Sequence, residues 1–247
     1  MKKTVSLLLA AAMTVSLGAT AFAAEDTAPK PDTDQTAPTY TRPADVSGWY
    51  AEAADYVLEN KLMDTVEIDG AASFQPDAFL SRQAIAECIF RDATARDVAS
   101  VDGDAGMSFK ELADYADIDE TYLPAASFCY YTGIMAGDNE KKLHPDSMIS
   151  REELAAVLTR YYKYLVKTET DLESGMAIKE FTDYAEIQTW AHEELQFCVN
   201  TGMLKGNKDG SFNPKGNVTR AEMAQILFNL EKSFVEKAYD GLKLISK

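Results

Sequence analysis

Three arginines, Arg82, Arg151 and Arg220, each follow a hydroxyl residue: Ser81, Ser150 and Thr219. A hydroxyl at a helix N-cap makes the arginine the first helical residue, beside unpaired backbone amides and the positive end of the helix dipole. A guanidinium there adds a planar fork suited to a carboxylate or a phosphate. A cation at that end of a helix is otherwise mildly unfavourable, so the placement points to an anionic ligand. The plainer reading is a solvated arginine over an ordinary cap. It loses ground because the arrangement occurs three times at a constant step of 69 residues.

Other residues keep the same step. Pro76, Pro145 and Pro214 do so, as do the apolar Phe74, Leu143 and Phe212 two places before them. A fixed period of this kind is an internal repeat. Trp49, Tyr122 and Trp190 lie near the start of each unit, with Tyr122 one place out of register. Packing in the core is the reading favoured for them; stacking on a sugar ring is the other. Gly133, Gly137, Gly202 and Gly206 either let a ligand approach the backbone or serve helix ends and turns. Asp45, Asp117 and Asp183 read as caps or turn residues first, ligand contacts second.

These positions need two helices per unit. In the third unit, Trp190 to Thr201 has helical apolar spacing and Gly202 ends it. Asp209-Gly210 turns the chain. Thr219 and Glu222 then form a capping box, and Met223, Ile226, Leu227 and Leu230 mark a buried face. The second unit repeats the plan with Ser150, Glu153, Leu154, Val157, Leu158 and Tyr161. The first carries three extra loop residues, has Lys61 where Gly133 and Gly202 stand, and Ala84 where Glu153 and Glu222 stand. One helix pair is too small to bury its own face, so the three must pack together as an all-α domain. The expected division is a leader at 1–23, a linker at 24–43, repeats at 44–98, 116–166 and 181–233, connectors at 99–115 and 167–180, and a helical extension at 234–247.

Lys2-Lys3, the apolar run Val5–Leu17 and Ala21-Phe22-Ala23 read as a secretory signal peptide, with no membrane span left after cleavage. Cleavage takes the net charge from −16 to −18. Such acidity argues against nucleic acid and anionic membranes as partners, yet allows an anion at one local site. Cys88, Cys129 and Cys198 form no CxxC pair and read as buried thiols. His144 and His192 form no His-Glu-x-x-His site, and no Gly-x-Ser-x-Gly elbow is present, so no catalytic residue, metal or cofactor is assigned. Asn207-x-Asp209-Gly210 and Asp102-Gly103-Asp104 lack the glutamate of a calcium loop and read as turns.

The order Phe181-Thr182-Asp183, Trp190-Ala191, Gly202-x-x-x-Gly206, Asp209-Gly210-x-Phe212-x-Pro214 and Thr219-Arg220-Ala221-Glu222 resembles the S-layer homology motif, across about residues 44–233. The resemblance implies a pseudo-three-fold spindle around a central helical bundle, on a secreted protein of a bacterial cell wall. It implies a non-catalytic anchor that binds an anionic secondary cell-wall polysaccharide, often pyruvylated, in grooves between repeats. The implied contacts are Arg82, Arg151, Arg220, Trp49, Trp190, Gly133, Gly137, Gly202 and Gly206. Because repeat one is the divergent copy, loss of Arg82 is expected to matter less than loss of Arg151 or Arg220. The alternatives are a peptidoglycan binder, or a structural scaffold that self-associates or holds a second surface protein.

Overall fold

The computed structural model describes residues 40–99, 109–166 and 177–245, with side chains of the last helix described as far as Lys232. The leader, the linker up to residue 39, Asp102–Asp104 and much of both connectors lie outside these residues. Six α-helices are described: α1 (Ala51–Glu59), α2 (Arg82–Ala95), α3 (Leu123–Tyr131), α4 (Arg151–Val166), α5 (His192–Asn200) and α6 (Arg220–Ile245). The capping logic sets where the second helix of each unit starts. Ser81 accepts the Ala84 amide, and Glu153 and Glu222 reach back to the amides of Ser150 and Thr219 at 2.8 and 2.9 Å.

Two expectations are corrected. The first helix of each unit starts later than the apolar spacing suggests, because a 3-10 turn precedes it: Gly48–Tyr50, Glu120–Tyr122 and Thr189–Ala191. Trp49 and Trp190 sit in those turns rather than in helix. The domain is also mostly rather than wholly α. The three extra residues of repeat one let its loop double back as an antiparallel hairpin, β1 (Val66–Ile68) with β2 (Ala71–Ser73). Asp69 and Gly70 both take positive φ, the backbone a tight two-residue hairpin turn requires.

The first helix of each unit packs on the second helix of another: α3 on α2, α5 on α4, and α1 on α6. The second helices supply the core in phase. Ile85, Leu154 and Met223 are buried, as are Ile89, Leu158 and Leu227, and then Asp92, Tyr161 and Leu230. The polar member of that last set is satisfied, since Tyr161 donates to the Asp92 carboxylate at 2.6 Å and Arg96 grips Asp92 from the other side. Just before these helices the backbone closes a ring. Leu80 N–H donates to Val218 O (3.0 Å), Val218 N–H to Ile149 O (3.3 Å), and Ile149 N–H to Leu80 O (3.4 Å). The packing thus runs from the first repeat to the third and back.

Candidate functional site

Each arginine is seated in the loop of the next repeat, through a short relay that starts at an aspartate. The Asp45 carboxylate accepts the amides of Phe74 and Gln75, at 2.9 and 2.8 Å. Asp183 does the same for Phe212 and Asn213. In the second repeat the residue is Asp114, which holds the amides of Leu143 and His144 at 3.0 and 2.7 Å. Asp114, and not Asp117, is thus the counterpart of Asp45 and Asp183, while Asp117 ends a short 3-10 turn, in keeping with its reading as a turn residue. Burial works against the charge of Asp45, but the amides and the Ser73 hydroxyl outweigh it and hold its pKa below the ordinary carboxylate value.

Each anchored loop turns left-handed at the residue before its proline. Gln75, His144 and Asn213 take φ of 53°, 54° and 59°, a region that glycine and, less readily, asparagine favour. That bend turns the preceding carbonyl outward, toward an arginine. Arg220 Nε donates to Phe74 O (2.6 Å), Arg82 Nε to Leu143 O (2.7 Å), and Arg151 Nε to Phe212 O (2.9 Å).

The helix amides are already spoken for. Arg82 N–H donates to Ser147 O and Gln83 N–H to Pro145 O; Arg151 and Glu152 donate to Gly216 O and Pro214 O; Arg220 and Ala221 donate to Ala78 O and Pro76 O. The next amide bonds the capping hydroxyl in all three helices. The first-turn donors that the sequence offered to an anion therefore bind protein carbonyls.

The three guanidinium groups differ in what they have left. Arg151 is 6% exposed and fully engaged: Nη1 donates to Glu222 (2.7 Å), Nη2 to Lys205 O (2.8 Å), and its carbon lies 4.6 Å over the Phe212 ring. Arg220 donates Nη2 to Asp64 O and lies over Phe74. Arg82 has its Nε bond and one long ionic contact, Nη1 to Glu153 at 3.9 Å. Burial lowers the pKa of all three, with Glu153 opposing at Arg82 and Glu222 at Arg151. All stay charged at neutral pH.

Three grooves open beside these arginines, and each takes its walls from all three repeats. Arg151 faces Lys205, Gly206, Glu222 and Trp49 in a groove of about 400 Å³. Arg82 faces Gly137, Glu153, Arg160 and Trp190 in one of about 910 Å³. Arg220 faces Thr65, Ala84, Arg91 and Tyr122 in one of about 180 Å³. Trp49 and Trp190 are 65% and 51% exposed, which overturns the core reading for both. Gly137 and Gly206 line grooves where a side chain is crowded: a Cβ at Gly206 would collide with the Phe181 ring, and one at Gly137 would sit tightly, 3.3 Å from Lys142 O. Gly133 and Gly202 instead end α3 and α5 at positive φ, and are not among the residues lining these grooves.

The cyclic sharing also relocates the divergence of repeat one. Ala84 lines the groove of Arg220, and the Lys61 carbonyl there meets Arg91. The groove of Arg82 takes its loop and capping glutamate from the regular second repeat. Sequence reasoning missed Asp114 although it stands 69 residues from both Asp45 and Asp183. It also missed Arg160, which has Arg91 and Asn229 as counterparts at the same step.

Two segments of the chain, 114–155 and 180–224, match the family model of the S-layer homology domain. Residues 44–98 lie outside both matches. An amylopullulanase of Thermoanaerobacterium thermosulfurigenes is 35% identical over 113 residues, 45% of this chain and 6% of that protein. A cellulosome-anchoring protein of Acetivibrio thermocellus is 26% identical over 156 residues, 62% of this chain and 32% of that protein. The S-layer protein EA1 of Bacillus anthracis is 26% identical over 191 residues, 77% of this chain and 20% of that protein. The chain thus spans a third or less of the length of these relatives.

Proposed function

We propose that this protein is a non-catalytic module of the cell surface, with three repeats closed into a pseudo-three-fold spindle. In this reading it holds an anionic cell-wall glycan in the grooves between repeats. The observation that carries it is the pairing of an arginine with an exposed aromatic across a groove: buried Arg151 with Trp49 and half-buried Arg82 with Trp190. A flat ring offers a face to a sugar, while a guanidinium reads an acid group. Two matches to the S-layer homology domain, and a relative named for anchoring the cellulosome, support attachment to a wall polymer. A pyruvate ketal, which places a carboxylate on a sugar ring, fits the resemblance. Enzyme relatives such as the amylopullulanase share only a small part of their length with this chain, which supports a role in attachment rather than catalysis.

The test is a pull-down of the protein on purified sacculi, before and after chemical removal of the wall polysaccharide. Binding that disappears with the polysaccharide supports the reading. Binding that survives moves the ligand to peptidoglycan, and no binding to either material leaves a scaffold role.

A further inference from the structure

The residue after each arginine holds one position of the period: Gln83, Glu152 and Ala221, all buried. Two of the three reach an aromatic turn of the following repeat. Gln83 Oε1 accepts the amide of Asp119, which caps the turn that carries Tyr122 (3.1 Å). Glu152 Oε2 accepts the amide of Gln188, which caps the turn that carries Trp190 (3.1 Å). The counterpart in the first repeat is Ser47, which caps the turn of Trp49. Ala221 has no polar atom in its side chain to reach it. The Ser47 amide is exposed, with no acceptor among the described residues.

The second polar atom of each side chain is matched as well. Gln83 Nε2 donates to Asp146 at 2.7 Å, and Glu152 Oε1 accepts from Lys215. Asp146 and Lys215 are themselves 69 residues apart. An amide meets a carboxylate in one interface and a carboxylate meets an ammonium in the next, so each loop residue suits the helix residue that it faces. Asp77 holds that place in the first repeat. The Trp49 turn is tied at its other end, where the Tyr50 hydroxyl donates to Asp45 O at 2.6 Å. It begins at Gly48, with a φ of 70°.

We propose that Glu152 is a positioning residue: it holds the turn of Trp190 so that the ring is set before a wall glycan arrives, whereas the alanine at 221 leaves Trp49 to be ordered by the ligand. The assignment rests on the glycan-anchoring reading above and adds a division of labour between the two tryptophan grooves. A ring that is already fixed costs a ligand less ordering on binding. Glu152 touches no ligand in this role; it acts through the Gln188 amide and the turn that follows.

The chain has two tryptophans, so their indole N–H signals in a 15N-labelled sample report the two turns without any ligand. Trp190 is expected to show a higher order parameter than Trp49, with Trp49→Phe assigning the signals. Glu152→Ala is expected to lower Trp190 to the level of Trp49. Glu152→Gln, which keeps an oxygen for the Gln188 amide, is expected to hold it high. Lys215 and Gln188 are exposed enough to turn to water, so both variants are expected to fold. Ala221→Gln, which copies Gln83, is expected to raise the order of Trp49. Equal order at the two rings in the unaltered protein, a Trp190 signal indifferent to Glu152→Ala, or a Trp49 signal unmoved in folded Ala221→Gln overturns the assignment. On sacculi that retain their polysaccharide, Glu152→Ala is expected to bind about tenfold more weakly, and Glu152→Gln within about twofold of the unaltered protein. Equal binding by Glu152→Ala removes the role in recognition. Failure of the unaltered protein to bind removes the anchoring reading, while the order parameters still decide what Glu152 positions.

Discussion

Arg151 and Phe212 meet twice, through a 2.9 Å bond from Nε to the Phe212 carbonyl and through a guanidinium carbon 4.6 Å above the Phe212 ring. One side chain thus grips both the backbone and the ring of a residue in the next repeat. Glu222 and the Lys205 carbonyl complete its shell. An arginine so enclosed is a rivet between repeats.

Arg151→Ala should therefore destabilise the protein by about 2–3 kcal/mol, the range for lost hydrogen bonds to a charged group. Arg82→Ala, with fewer bonds to lose, should cost about 1 kcal/mol. Urea unfolding followed by far-ultraviolet circular dichroism separates the two; equal losses would refute the difference in engagement.

Asp114 is 7% exposed and holds two amides of a loop that turns left-handed at His144. Asp114→Ala should cost about 2 kcal/mol, whereas Asp117→Ala, at the end of a short surface turn, should stay within about 0.5 kcal/mol. A larger loss at Asp117 than at Asp114 would contradict this assignment.

The three cysteines are unpaired and buried. Burial pushes the thiols of Cys88 and Cys198 up to about 12 and raises that of Cys129 as well. At pH 8 almost no thiolate is present in the folded protein, and an aromatic disulfide reagent should label all three slowly. After unfolding, three equivalents should react at once. Rapid labelling of the native protein at any cysteine contradicts this packing.

Asp138 accepts a hydrogen bond from His144 and the amide of Lys142, and these hold its pKa down to about 2. A depressed carboxylate stabilises the fold above its unfolded value of about 4, and that contribution is lost as the pH falls through about 2. His144→Ala should raise the pKa of Asp138, read from its side-chain carbonyl 13C shift during an acid titration. No movement of that shift would show that the backbone amides alone set it.

Local chemistry was the legible part. Ser150 and Glu153 lie three residues apart and cap α4 as their types require. The buried stripe of α6 follows from the spacing of Met223, Ile226, Leu227 and Leu230. Asp114 was marked by the period but masked by a second aspartate three residues on. The grooves were not legible, because Trp49 reaches the groove of Arg151 only when α1 packs on α6. Nor were the partners of the first two amides of each second helix, since each is a carbonyl in another repeat. Spacing reports neighbours along a chain, while these contacts come from how the repeats interlock.

The backbone ring of Leu80, Ile149 and Val218 carries a consequence for the order of assembly. Every repeat waits for another: Arg82 needs the second loop, Arg151 the third, and Arg220 the first. A chain synthesised N-terminus first presents Asp45 and Phe74 long before Arg220 arrives to close on them. The first repeat is unfinished until the last has emerged, so the molecule becomes rigid in one late step rather than unit by unit.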